Sequence, residues 1–326
     1  MTGPDRRRGT TRQRLGRAIG ATFRGSVGAL VVTVAVVASA PGVAVAAPAS
    51  SPVAVHHYQD ASAPVRPHEV VVLGDSTALA LGYALAATAP PGTTVVNGGL
   101  FGCGLAIASW FSDDPPSPKM AMTPRCGEST PADQQWPAVD AITVAGTRRG
   151  DVVLFLAGYW EVMDLSRAGH WTNISQPSFR RYELGQLREL IRIASSHGAH
   201  VDLATMPAMA DENDSVGVSH PDSSRRRIAY NRLLRTAAAE FRGTVSVIGF
   251  GHLVTPRGVY REYLDGVQVR SSDGVHTPAY APGNMFADNA GQAVADTFYN
   301  WLSPRLWPLV IASDRPARSK GGISPH

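Results

Sequence analysis

An α/β fold built on a parallel sheet with helices on both faces is what this sequence predicts. Three observations predict it. Strand-like and helix-like segments alternate, the strands are apolar throughout rather than at every second residue, and the length suits one large domain with an ample core. The 326 residues are 44% hydrophobic and 17% charged, with 32 Gly, 24 Pro and two Cys. That composition excludes a disulfide-dense miniprotein, a collagen and a mostly disordered chain.

Glu69–Leu73 (EVVVL) is a short β-branched run stopped by Gly74, hence a buried strand. Thr77–Thr88, rich in Ala and Leu and closed by Pro90-Pro91, is a helix. Thr93–Asn97 is the second strand and runs into a glycine-rich turn. Asp151–Leu156 (DVVLFL) is the most apolar strand and ends at Ala157-Gly158. Phe179–Ser196 carries a helical stripe of Leu184, Leu187, Leu190, Ile191 and Ala194, with Gly198 as its C′ residue. His200–Thr205 is the fourth strand, Arg225–Phe241 a helix, Thr244–Gly249 the fifth strand and Asp288–Leu302 the last helix. In such a sheet functional groups gather beyond the C-terminal strand ends.

Charge is unevenly spread along the chain. The formal net charge is +4, but seven arginines and a single acid lie within residues 1–46, and without that segment the net charge is −2. Nothing then calls for a nucleic-acid partner. Residues 1–46 read as an export signal: a basic stretch to Arg24, the apolar run Val27–Ala40, the breaker Pro41-Gly42, and Ala44-Val45-Ala46 as a cleavage site. The alternative is a retained N-terminal membrane anchor, since Val27–Ala47 is just long enough to span a bilayer. Either way the folded part is expected outside the cytoplasm, secreted or associated with the cell envelope, and touches a membrane only through an uncleaved leader. Residues 47–67 form an Ala/Pro/Ser-rich linker holding His56-His57, residues 68–312 the domain, and residues 313–326 a flexible tail.

The strand ends supply a nucleophile and a base. The first strand ends in Gly74-Asp75-Ser76 and opens at once into a helix, which leaves Ser76 in a tight turn with its N–H near the positive helix end. Ser76 as a plain N-cap is the alternative. Late in the chain, Asp273-Gly274-Val275-His276 sets a carboxylate three residues before an imidazole. There the aspartate can fix the histidine tautomer while the other ring nitrogen faces the serine.

The strand-GDS-helix opening together with the closing D-x-x-H resembles the SGNH (GDSL) hydrolase superfamily, from Glu69 to about Leu302. The resemblance implies a flavodoxin-like three-layer α/β/α sandwich with a central five-stranded parallel sheet, and an esterase, lipase, carbohydrate deacetylase or acyltransferase activity. It makes Ser76 the nucleophile, His276 the general base and Asp273 its orienting partner, and no cofactor is expected. Asn97-Gly98-Gly99-Leu100-Phe101-Gly102 matches the family's N-x-x-x-x-G block, which adds the Gly102 N–H to that of Ser76 in the oxyanion hole. The third block departs from the family's G-x-N-D: Gly158-Tyr159-Trp160-Glu161 puts Trp160 at the Asn position and Glu161 at the Asp position. Either Trp160 donates to the oxyanion, or two backbone N–H groups suffice, or Tyr159, Trp160 and Glu161 line the substrate cleft. This block, with the nearby G-C-G, is similar to the extracytoplasmic SGNH domains associated with acyltransferase-3 membrane proteins. Those partners O-acylate cell-envelope sugars, so a transfer role here implies a separate membrane acyltransferase partner.

Cys103 and Cys126 are the only cysteines, and export favours a disulfide that closes the 23-residue excursion containing Asp113-Asp114-Pro115-Pro116. Two thiols without a C-x-x-C give no zinc site, and His197 and His200 straddle Gly198 at a helix end rather than pairing on a metal. Arg225-Arg226-Arg227 reads as a solvated face, and Asn173-Ile174-Ser175 as a chance glycosylation match. Trp110, Trp136, Trp171 and Tyr159 are either core or a sugar-stacking surface. Three functions remain open: a Ser-His-Asp esterase acting on an O-acylated cell-envelope carbohydrate or other ester, an O-acyltransferase, and a carbohydrate-binding module of the same fold.

Overall fold

A computed structural model describes residues 69–112, 115–116, 120–210, 223–283 and 289–313, all within one compact unit, Tyr58–His326. The leader, the linker with His56-His57, Asp113-Asp114 and the tail beyond Ser313 lie outside the described residues. Five strands, β1 (Glu69–Gly74), β2 (Thr94–Gly99), β5 (Val152–Leu156), β8 (His200–Ala204) and β9 (Val245–Ile248), form one sheet in the order β2-β1-β5-β8-β9. Every neighbouring pair in it is parallel. Counting only these strands the order is 2-1-3-4-5, the doubly wound arrangement whose switch point falls beside β1.

The sheet separates two apolar cores because successive side chains of each strand point to opposite faces. Val71, Leu73, Val153, Phe155, Val201 and Leu203 pack with Phe179, Leu187 and Leu190 of α3 (Pro177–Ala194) and Tyr230 and Leu234 of α4 (Ser223–Glu240). On the opposite face Val70, Val72, Leu154 and Leu156 meet Leu81 and Leu85 of α1 (Ser76–Ala87) and Phe298 and Leu302 of α6 (Gln292–Ser313). The result is the expected three-layer sandwich.

The last helix differs most from expectation. It continues beyond Leu302 through Pro304 and Pro308, because Leu306, Trp307 and Val310 remain buried against α1 and the sheet. Burying each such side chain contributes about 1.5–3 kcal/mol, enough to offset the hydrogen bonds that the prolines remove. The Trp307 indole donates to the Thr88 hydroxyl at 3.2 Å and fixes this extension. Helix α3 stops at Ala194 with Ser195 as its cap, so Gly198 (φ +91°) serves the turn into β8 rather than the C′ position.

A second sheet escapes the sequence pattern altogether. Strands β3 (Trp110–Ser112), β4 (Met120–Ala121), β6 (Asp164–Arg167) and β7 (His170–Thr172) pair antiparallel in the order β4-β3-β6-β7. Helix α2 (Trp136–Thr143) lies between β4 and β5, while α5 (Phe250–Val254) and the hairpin β10 (Tyr263–Leu264)–β11 (Val267–Gln268) lie between β9 and α6. Two side chains tie the second sheet to the sandwich. Buried Arg226 donates to Asp164 Oδ2 at 3.0 Å and to the Val162 carbonyl at 2.9 Å, which corrects the reading of this arginine as solvated. Phe111 sets its ring edge-on to Trp160, with centroids 4.7 Å apart.

Cys103 and Cys126 form the expected disulfide, with Cα atoms 5.3 Å apart. A cross-link over 23 residues stabilises by about 3 kcal/mol through the unfolded chain. The double substitution Cys103→Ser, Cys126→Ser is therefore expected to lower unfolding free energy by about that amount in urea titration. Added reductant should weaken the native protein and leave the double variant unaffected; equal stability of the two oxidised proteins would contradict this.

Candidate active site

Gly74 makes the turn that presents the serine. Its φ is +133°, and a Cβ there would stand 1.8 Å from the Leu156 carbonyl oxygen of β5. Only glycine lets β1 leave the sheet this close to its neighbour. The N-cap of α1 is Asp75, whose Oδ1 accepts from the Thr77 N–H at 2.7 Å and the Thr77 hydroxyl at 2.6 Å. Ser76 is thus the first helical residue, freed from capping duty, and only 3% exposed.

The three residues named from sequence converge. His276 Nε2 lies 2.8 Å from Ser76 Oγ, and His276 Nδ1 lies 2.5 Å from Asp273 Oδ2. The other carboxylate oxygen of Asp273 accepts from the Ser271 hydroxyl at 2.6 Å, the Val275 N–H at 2.8 Å and the His276 N–H at 3.0 Å. Burial pushes the Asp273 carboxyl up, but the hydrogen bond and charge of His276, with Ser271 and Val275, outweigh it and hold Asp273 well below the usual carboxylate range. An anion so placed keeps the Nδ1–H tautomer and leaves Nε2 to accept from the serine. The loop that carries the pair is fastened on both sides: Arg270 donates to the Ala208 carbonyl at 3.1 Å, and Asn289 donates to the Thr277 carbonyl at 3.1 Å. Ser271 is a partner that sequence reading missed, since a lone serine two residues before an aspartate carries no signal of its own.

The segment after β2 crosses the mouth of the sheet. The Leu100 N–H donates to the Gly74 carbonyl at 2.8 Å, so the chain leading to Gly102 runs directly past the β1–α1 turn. Gly102 itself is buried at φ +65°. Asn97, the first residue of that block, points its amide into α1 and donates to the Leu79 carbonyl at 2.9 Å. It joins β2 to α1 and takes no part in the site.

Residues 159–161 require a correction. Tyr159, Trp160 and Glu161 are 4%, 4% and 0% exposed, so they do not form an open cleft wall. Trp160 packs edge-on against Phe111 and Tyr159, and its indole N–H has no hydrogen-bond partner among the described residues. Glu161 is closed to any ligand; its Oε1 accepts the Leu105 N–H at 2.6 Å. Burial, then the neighbouring Asp75 charge, pushes its carboxyl up to about 7. Glu183 of α3 is equally buried and pushed well above its ordinary value, by burial and by Glu161. A sequence signal for Glu183 existed: it occupies a position of the α3 apolar stripe between Phe179 and Leu187.

The aromatic candidates separate into two groups. Trp136 is 2% exposed and donates to the Leu105 carbonyl at 2.9 Å, so it belongs to the core. Trp110 and Trp171 pair with Ser166 from opposite sides, which places both on one face of the second sheet with a serine between them. Trp110 is 43% exposed. His200 bonds the Ser246 hydroxyl at 2.9 Å, the Asn173 amide donates to Asp164 at 2.6 Å, and no metal-binding group of three or more His, Cys, Asp or Glu occurs among the described residues.

Fold and site together define a class: a doubly wound α/β domain with a Ser-His-Asp array at its switch point. No protein-family model matches the chain, and no curated protein is recognisably similar in sequence. Among solved structures, a carbohydrate acetylesterase from Sinorhizobium meliloti is 13% identical, with a TM-score of 0.39, over 72% of this chain and 99% of that one. The aryl esterase of M. smegmatis is 14% identical, with a TM-score of 0.37, over 71% and 98%. A salicylyl-acyltransferase from a tetracycline biosynthetic pathway is 11% identical, with a TM-score of 0.40, over 78% and 58%. Likenesses this distant say nothing of what this chain acts on.

The raised Glu161 carboxyl sets a pH dependence of stability. The folded state holds this proton more tightly than the unfolded chain does, so the contribution to stability falls as pH rises from the usual carboxylate range through about 7, then levels off. Glu161→Gln removes the effect, which is on the order of 3 kcal/mol. The melting-temperature difference between Glu161→Gln and the native protein is expected to move in the variant's favour between pH 5 and pH 8 by scanning fluorimetry. A difference independent of pH would contradict the assignment.

Proposed function

We propose that this protein is an exported serine esterase that removes an O-linked acyl group, with a cell-envelope carbohydrate as the alcohol part of its substrate. The observation that carries the reading is the continuous chain Asp273 Oδ2–His276 Nδ1 at 2.5 Å and His276 Nε2–Ser76 Oγ at 2.8 Å. In it, a nucleophile, its base and the group orienting the base are each within hydrogen-bond reach.

The chemistry follows from the positions. As Ser76 Oγ attacks the ester carbonyl, its proton passes to His276 Nε2, and Asp273 stabilises the imidazolium. The backbone N–H groups of Ser76 and Gly102 are the donors offered to the developing oxyanion. Collapse of the tetrahedral intermediate breaks the bond to the leaving alkoxide, which takes the proton from His276. Water then attacks the Ser76 ester as His276 accepts its proton; collapse breaks the acyl–Oγ bond, Ser76 takes the proton back from His276, and the free acid leaves. A sugar hydroxyl in place of water turns the same acyl-enzyme toward transfer.

Two features support the carbohydrate and the compartment. The Trp110–Ser166–Trp171 row sets two aromatic side chains on one sheet face, with Trp110 exposed, the kind of surface on which sugar rings stack. The Cys103–Cys126 disulfide fits an oxidising compartment, as does the leader sequence at residues 1–46.

Turnover of O-acetylated glycans, with products weighed by mass spectrometry, tests the proposal. The native protein is expected to release free acid, Ser76→Ala to lose activity to background, and Asp273→Asn to lose on the order of 10³–10⁴ in kcat with little change in KM. Undiminished release by Ser76→Ala would overturn the proposal. Acylated acceptor sugar forming faster than free acid would replace esterase with acyltransferase.

A further inference from the structure

Residues 102–107 hold the Gly102 donor, yet they belong to no helix or strand and must be fixed by side chains from elsewhere. Leu105 is held from both sides of its backbone: its N–H goes to Glu161 Oε1 at 2.6 Å, and its carbonyl accepts from Trp136 Nε1 at 2.9 Å and from Gln186 Nε2 at 3.3 Å. Two residues on, the Ile107 N–H donates to the Tyr182 hydroxyl at 3.0 Å, and its carbonyl accepts from Arg167 at 2.9 Å. The Cys103–Cys126 disulfide closes the other end. Of these contacts, only Glu161 brings a carboxylate, and it is the only one from the segment directly after β5 at the switch point.

Glu161 holds that position under unfavourable conditions. It is fully buried, its second oxygen has no partner among the described residues, and it shares its surroundings with Asp75, Glu183 and Tyr230. Arg167 eases Glu183, but no cation is paired with Glu161 among the described residues. A buried carboxyl group without a cation is destabilising unless it keeps its proton or N–H donors compensate it, and the loop donor that the geometry supplies is the Leu105 amide. Gly104 completes the fit: a Cβ there would stand 2.2 Å from Glu161 Oε1 and 2.9 Å from Trp160 Cβ. Backbone and carboxylate therefore approach as closely as atoms allow, which is the arrangement expected of a clamp.

We propose that Glu161 is the positioning residue of the oxyanion loop: by gripping the Leu105 amide beneath Gly104, it sets where the Gly102 N–H stands relative to Ser76. The proposal rests on the serine-esterase reading for its catalytic consequence, while the clamp itself can be tested without turnover. Glu161 does not touch substrate and acts only through the loop. A one-ångström displacement of a catalytic donor lowers rates by on the order of 10²-fold, so that loss is expected in kcat when the clamp is removed.

The test compares Glu161→Ala, which removes the acceptor, with Glu161→Gln, which keeps an oxygen in its place. Glu161→Ala is expected to lower kcat on the order of 10²-fold with KM nearly unchanged. Glu161→Gln should restore kcat to within about tenfold of native, an amide oxygen being a weaker acceptor than a carboxylate. Hydrogen exchange of peptides spanning residues 100–108 should accelerate in Glu161→Ala and stay near native in Glu161→Gln. Equal losses in both variants, a fall in KM-dependent binding alone, or unchanged exchange in Glu161→Ala would overturn the proposal. If Glu161→Ala fails to fold, Glu161→Asp replaces it. The shorter side chain withdraws the acceptor while keeping the charge, and should speed exchange and lower kcat in the same direction. Should the native protein turn over no ester, the esterase reading fails; the exchange comparison then still decides whether Glu161 holds the loop.

Discussion

A 2.8 Å hydrogen bond joins Ser76 to His276, residues 200 positions apart, and the rest of the molecule is arranged so that it can form. The parallel sheet sets the first strand between β2 and β5, the glycine at its end turns the chain tightly beside β5, and α1 begins at once, so Ser76 has almost no freedom. At the other end, Asp273 is two residues beyond Ser271 and accepts from it as well as from the His276 ring and backbone. The imidazole is thereby fixed in tautomer and direction before any substrate arrives, which is what preorganisation means for a base.

Electrostatics around the serine runs in two opposite directions. On the exposed side, hydrogen bonds drive Asp273 far toward its anion. In the interior, burial pushes Asp75, Glu161 and Glu183 the other way, with Asp75 adding to the rise of Glu161 and Glu161 to that of Glu183. Three like charges so close cannot all ionise in a dry interior, and protons retained there lower the cost of the cluster. The compensation visible in the geometry is structural: Asp75 caps the helix that carries the nucleophile, and Glu161 grips the loop that carries Gly102.

Much of this was legible in the sequence because it depends on local patterns. Continuous apolar runs such as DVVLFL identify a sheet covered on both faces, and GDS before a helix with D-x-x-H before the last helix identify the site. The second sheet was not legible, because strands of two to four residues such as Met120–Ala121 are too short to show alternation. The extension of α6 was hidden by Pro304 and Pro308, whose local preference lost to the burial of Leu306, Trp307 and Val310. The G-x-W-E block places Glu161 in a cleft by its match to the third SGNH block at a strand end; only the fold reveals that its carboxyl meets the Leu105 amide of a distant loop. For Trp136 the sequence leaves core or sugar-stacking surface open, and the fold selects core, where its indole meets the Leu105 carbonyl.

The central claim is that Ser76 is a nucleophile activated by His276. Its most direct test is covalent: incubation with a serine-directed fluorophosphonate, digestion, and location of the adduct by tandem mass spectrometry. The expected result is a single adduct on Ser76 that forms on the native protein and is suppressed in His276→Ala. An unmodified Ser76 at saturating reagent, or labelling unaffected by His276→Ala, would contradict it.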